Sequence, residues 1–202
     1  MKEDEYFTIN KSSKGVYKEK GSKFIAHAIP VENEEEIKEK IEEIKNQYHD
    51  ARHHCYAYQT GIQQPNFRMN DDGEPSSTAG KPIYGQIQSY NITNVLIVVV
   101  RYFGGIKLGT SGLIRAYKTA AEEALKKNRI IKKTITRKLR IEFEYGAMNE
   151  VMKLLHELNI EPKDKEFTDK CVFIFDVRKS LTDNTISRFK LIKNLKAEET
   201  GN

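Results

Sequence analysis

Cysteine is scarce: Cys55 and Cys171 are the only two in 202 residues, far apart and outside any paired framework. That excludes a disulfide scaffold and points to a reducing compartment, the cytoplasm. Long apolar runs are missing as well. The longest, VLIVVV from Val95 to Val100, is six residues, far below the roughly 20 that a membrane helix needs. The opening MKEDEYFTIN has no apolar h-region, so no signal peptide and no membrane partner are expected. Charge of one sign is not in great excess either: 34 basic against 29 acidic side chains leave a net +5. Such a balance suits RNA or another polyanion, and equally a solvated mixed-charge surface. No internal repeat or low-complexity tract stands out. There is no G-x-S-x-G elbow, and no second Cys or His pair to complete a zinc site, so neither a metal nor a cofactor is expected.

The periodicities that are present describe an α+β protein of two domains, residues 1–131 and 132–202. In the first, residues 15–31 read as a hairpin around EKGSK. Ile37, Ile41, Ile44 and Tyr48 then form one stripe of an amphipathic helix. RHHCYAYQT alternates like a strand, and QQPNFRMNDDGEPSSTAGKP reads as a long surface loop. After a short helix in YGQIQSY, the β-branched NVLIVVVRYF is expected as a strand buried on both faces. Leu113, Tyr117, Ala120, Ala121, Ala124 and Leu125 mark a helix over 112–127. Eight basic residues and no acidic ones follow between Ala124 and Ile141, and the domain junction is placed at Ile131–Thr134. The second domain reads strand, helix, two strands, helix: βαββα, most of a ferredoxin-like split unit. Its last strand would have to come from KAEETGN and is expected to be short or missing.

Three segments carry candidate chemistry. In RYFGGIKLGTSGLIRAYK, Gly104, Gly105, Gly109 and Gly112 lie between the buried strand and the helix. A strand, glycines and a helix N-terminus can cradle an anion, because the first-turn amides are unpaired and the dipole favours negative charge. The spacing Gly104-x4-Gly109 imitates a P-loop, but Thr110 stands where its lysine belongs, and no G-x-G occurs. Two readings stay open: a tight turn needing positive φ, and a phosphate site served by Arg101, Lys107, Arg115 and Lys118. In RHHCYAY, His53 and Cys55 share a strand face while His54 points away, which is too few ligands for a metal. In NDDGEPSSTAG, Asp71, Asp72 and Glu74 suit acid–base work and suit Asx turn chemistry better, with Ser76, Ser77 and Thr78 placed to cap the next helix.

Taken together, RHHCYAY, DDGEPSSTAGKPI and VLIVVVRYFGGIKLGTSGLIRAY resemble the Impact/YigZ family. The likeness covers most of residues 15–130. The resemblance implies an N-terminal α/β domain folded like the second domain of a small-subunit ribosomal protein, shared with elongation factor G domain IV. It also implies a C-terminal ferredoxin-like domain similar to elongation factor G domain V. For eukaryotic members it implies translational control through competition for a kinase activator, a pathway bacteria lack. What transfers is a cytoplasmic, non-enzymatic protein that binds the ribosome or structured RNA, with a protein partner as a further option. In this reading Arg101, Lys107, Arg115 and Lys118 meet phosphates, and Gly104, Gly105, Gly109 and Gly112 shape the loop. His53, Asp71, Asp72, Glu74 and Thr78 frame a polar cleft. The alternative is a hydrolase with His53 as base and Asp72 or Glu74 as its partner. The family pattern places glycine where this chain has Ser77 and Ser111, so both turns are expected to be strained or altered.

Overall fold

The computed structural model describes residues 4–62 and 64–200, and the chain divides into two units. The larger spans residues 6–133. Its centre is β6 (Val95–Tyr102), whose apolar run satisfies two cores at once. Strand alternation sends Val95, Ile97 and Val99 to one face and Leu96, Val98 and Val100 to the other. On the first face they meet α2 (Gly80–Ser89) and α3 (Gly109–Lys126) through Ile83, Ile87, Tyr117, Ala120 and Ala124. On the second they meet the Ile37, Ile41 and Ile44 stripe of α1 (Glu34–Gln47). A strand buried on both faces is more usual in parallel sheets, but here β6 runs antiparallel to β3 (Ser22–Pro30) and β4 (His53–Thr60). The sheet is completed by β2 (Ser13–Glu19) and β5 (Asn66–Asn70), in the order β2-β3-β6-β4-β5.

The segment expected as one long loop therefore contains an edge strand, β5, paired antiparallel with β4. Its residues are almost all exposed, and Phe67 is held from outside by stacking on Tyr84 at 4.8 Å between ring centroids. Helix α3 begins at Gly109, three residues before the expected start. The chain also opens with β1 (Glu5–Ile9), which pairs with β7 (Ile130–Thr134) in a small sheet of its own.

The smaller unit comprises residues 134–200 together with Asp4 and Glu5. The division expected from sequence places those two residues with the larger domain instead. Asp4 is buried in the smaller unit, accepting a hydrogen bond from Ser180 Oγ at 2.6 Å. The element order is β8 (Thr136–Phe143), α4 (Met148–Glu157), β9 (Asp164–Phe167), β10 (Cys171–Arg178), α5 (Thr182–Phe189) and β11 (Lys196–Thr200). The sheet is antiparallel in the order β11-β8-β10-β9, with Leu139, Ile141, Phe143, Phe173 and Phe175 facing Val151, Leu155 and Phe189. The last strand, expected short or missing, is present and short: KAEET pairs with β8 over five residues and completes the split arrangement. Among the described residues no helix is long and apolar enough to cross a membrane.

Candidate functional site

Strand β6 ends by delivering Arg101 to the edge of the core, and residues 103–108 then lead into α3. The path of this loop is set by a close approach of two backbones. A Cβ on Gly104 would lie 1.9 Å from the carbonyl carbon of Gly21 and 2.1 Å from Ser22 N. Gly104 N also donates to Ser22 Oγ at 3.1 Å. Gly105 and Gly109 occupy the left-handed region, at φ 86° and φ 72°. A side chain would be strained there. No side chain caps the start of α3 and its first turn holds no acidic residue, so neither its first-turn amides nor its dipole is answered by a local carboxylate or cap.

A cavity of about 460 Å³ opens at this helix start. Arg52, His53, Arg101 and Lys107 line it, with Gly109 and Thr110 from the helix. Phe103, Leu108 and Leu113 supply an apolar wall, and Glu74 is the one carboxylate in the lining among the described residues. Behind it lies a buried polar chain. Arg101 is 7% exposed, and its Nη1 donates to Glu74 Oε1 at 2.5 Å. The Tyr117 hydroxyl donates to the same oxygen at 2.8 Å. The guanidinium packs near the rings of Phe24 and Phe103, 5.5 and 5.6 Å from their centroids. Its Nε is buried with no hydrogen-bond partner among the described residues. Cys55 Sγ lies 2.9 Å from the Asp71 carbonyl and 3.3 Å from the Tyr117 oxygen. Burial pushes both the thiol and the phenol well above their ordinary values, so Cys55 stays a thiol and is a poor nucleophile.

The structure brings together five of the residues singled out in the sequence: His53, Glu74, Arg101, Lys107 and Gly109. The others serve elsewhere. Asp71 is a cap: its carboxylate accepts from Ser77 N at 2.8 Å, Ala79 N at 3.0 Å and Gly80 N at 2.8 Å. These bonds tie down the start of α2. Asp72 accepts from His54 N at 2.6 Å, and Thr78 is buried with its hydroxyl on the Pro75 carbonyl. The capping expected of Ser76, Ser77 and Thr78 is thus supplied by Asp71. Gly112 is buried inside α3, and Arg115 and Lys118 lie further along that helix, outside the cavity lining. Arg115 is ion-paired with Glu19. Arg101 is not the free phosphate contact the sequence suggests, because Glu74 already matches its charge.

Nor do His53, Asp72 and Glu74 assemble as base and carboxylate. His53 Nδ1 donates to the Asp72 main-chain carbonyl at 2.8 Å, while Glu74 is held by Arg101 and Tyr117. Among the described residues no group of three or more His, Cys, Asp or Glu side chains is placed to hold a metal ion. Of the two serines where the resemblance leads one to expect glycine, Ser77 sits at φ 63°. Glycine adopts that conformation at less cost. Ser111 is ordinary helix. Arg52 and Phe103 were missed. Arg52 has no pattern of its own, and an aromatic beside two glycines does not announce whether it points in or out.

Fold and site define a class: an α+β protein whose larger unit carries a cation-lined pocket at an uncapped helix start, and whose smaller unit is a split βαβ arrangement. Residues 20–125 match the model of the Impact N-terminal domain. The chain is 34% identical over 168 residues to the IMPACT family member YvyE of Bacillus subtilis, covering 83% of this chain and 77% of that protein. It is 36% identical over 138 residues to the IMPACT family member YigZ of Escherichia coli, covering 67% and 68%. A crystal structure of a hypothetical protein superposes with a TM-score of 0.70 at 26% identity, covering 98% of both chains. The chain belongs to the IMPACT family.

Proposed function

We propose that this chain is a cytoplasmic, translation-associated binding protein that engages the ribosome or structured RNA through phosphate contacts around the start of α3. The observation that carries the reading is a set of unmatched positive groups. Lys107 and Lys118 are exposed, and among the described residues neither has a carboxylate within ion-pair distance. Lys107 stands just before a helix N-terminus that lacks a cap, and Lys118 lies midway along the same helix. Membership in the family supports the translational context, since the resemblance attaches translational control to its eukaryotic members. The likeness of the two units to elongation factor G domains IV and V belongs to the same proposal. A role in catalysis finds no support in the bonding of His53, Cys55 and Glu74.

Phosphate neutralisation makes log K fall linearly with log salt. Ribosome co-sedimentation over a salt series is therefore expected to show a steep slope. Lys107→Ala and Lys118→Ala should each reduce it by roughly 0.7–0.9 and weaken binding uniformly across sequences. Arg115→Ala should change it less, because Glu19 offsets that charge. Parent slopes in both lysine variants would overturn the reading.

A further inference from the structure

Three features of the pocket lie together. Phe103 is 53% exposed, a large apolar ring left facing solvent beside the Arg101 guanidinium. Arg101, more than nine-tenths buried, keeps an Nε donor with no acceptor among the described residues. An unmet buried donor is costly, and the Arg101 side chain that carries it lines the cavity. The third feature is the uncapped start of α3, whose Gly109 and Thr110 form part of the wall.

An aromatic face, a cation and free helix amides are together what holds one nucleotide. The base stacks on the ring, and the phosphate takes the amides and the charge. The cavity, at about 460 Å³, is in the usual range for small-ligand sites. Glu74 does not repel a phosphate here, because its charge is taken up by Arg101 and the Tyr117 hydroxyl. Paired bases in a duplex are already stacked and offer Phe103 no free face.

We infer that this pocket takes a single unpaired nucleotide of an RNA strand, its base on Phe103 and its phosphate at Gly109 and Thr110 beside Lys107 and Arg52. The inference rests on the RNA-binding reading and deepens it: Lys107 before α3 and Lys118 along it meet the backbone, and the pocket selects strand that is not base-paired.

The test compares an unstructured five-nucleotide RNA, a fully paired RNA hairpin and inorganic phosphate by competition against labelled five-mer. The five-mer is expected to compete best and phosphate least. Phe103→Ala should weaken five-mer binding by about 5- to 150-fold, the worth of one stacked base, and Phe103→Tyr should restore it. The ring is half exposed and touches the fold mainly at the Arg101 guanidinium, so Phe103→Ala is expected to lower the melting temperature only slightly and to stay folded. Binding of the hairpin and of ribosomes without binding of the five-mer would overturn the inference and leave the RNA reading standing. Failure of every RNA to bind would overturn both. Phosphate competing as well as the five-mer, with Phe103→Ala unchanged, would leave a plain anion site and sink the nucleotide.

Discussion

Glu74→Ala is expected to destabilise the larger unit by about 3–5 kcal/mol, the cost of leaving a buried charge without its partner. Arg101 cannot relax into water: it is 7% exposed, and Phe24 and Phe103 pack near its guanidinium. The substitution removes the acceptor of both Arg101 Nη1 and the Tyr117 hydroxyl, so two buried donors are stranded. Glu74→Gln keeps an oxygen for both donors and should cost less, although the charge stays unmatched. Replacing the pair together, as Glu74→Gln with Arg101→Met, removes the charge and should recover much of the loss, because apolar replacement of a buried ion pair is often neutral. Urea unfolding of the three variants checks this. For a unit of this size the single alanine variant should melt on the order of 10 °C or more below the parent. If the double variant were no more stable than Glu74→Ala, the pair would not be the source of the loss.

Gly104→Ala should be comparably damaging for a steric reason. The new methyl would fall on the backbone of Gly21 and Ser22, at 1.9 and 2.1 Å, and no side-chain rotation can clear it. Overpacking typically costs roughly 1–3 kcal/mol, and a clash between two main chains belongs at or beyond the upper end. Gly105→Ala is the matched control. Nothing lies within 4 Å of its Cβ, and its φ is 86°. An alanine there carries only the left-handed penalty of about 1–2 kcal/mol. Thermal melts should therefore rank Gly104→Ala below Gly105→Ala. The reverse order would mean that conformational freedom, not close approach, explains the glycine pair. Because Phe103 and Lys107 ride on this loop, Gly104→Ala should also displace the pocket.

How far the sequence could be read depended on the range of the interactions. Strand β6 was legible because six β-branched or leucine side chains in a row leave few other structures available. Helices α1 and α3 were legible from stripes that repeat within a few residues. Two of the edge strands, β5 and β11, were not. NFRMN and KAEET owe their strand state to hydrogen bonds from β4 and β8, and bury almost nothing of their own. The site shows the same limit. Charge counting marked Arg101 as basic, but Glu74, which occupies it, lies 27 residues earlier in the chain. Asp71 looked like turn chemistry and is a helix cap acting across eight and nine residues, a spacing outside the usual capping patterns. What the family motif adds is their coincidence: three segments far apart in sequence meet around one cavity.

The two-faced burial of β6 has a consequence for biosynthesis. When Tyr102 emerges from the ribosome, the residues of β3, α1, β4 and α2 have been made, but the side chains of α3 that cover Ala26 and Val99 have not. The nascent chain then displays a short, uncharged, β-branched segment of the kind that nucleates cross-β association. Arg101 and the preceding Asn94, itself at positive φ, flank it like gatekeepers, set where charge and a break in strand geometry interrupt stacking between chains. A fragment ending at residue 102 should collect in inclusion bodies, whereas one covering residues 6–133 should remain dispersed.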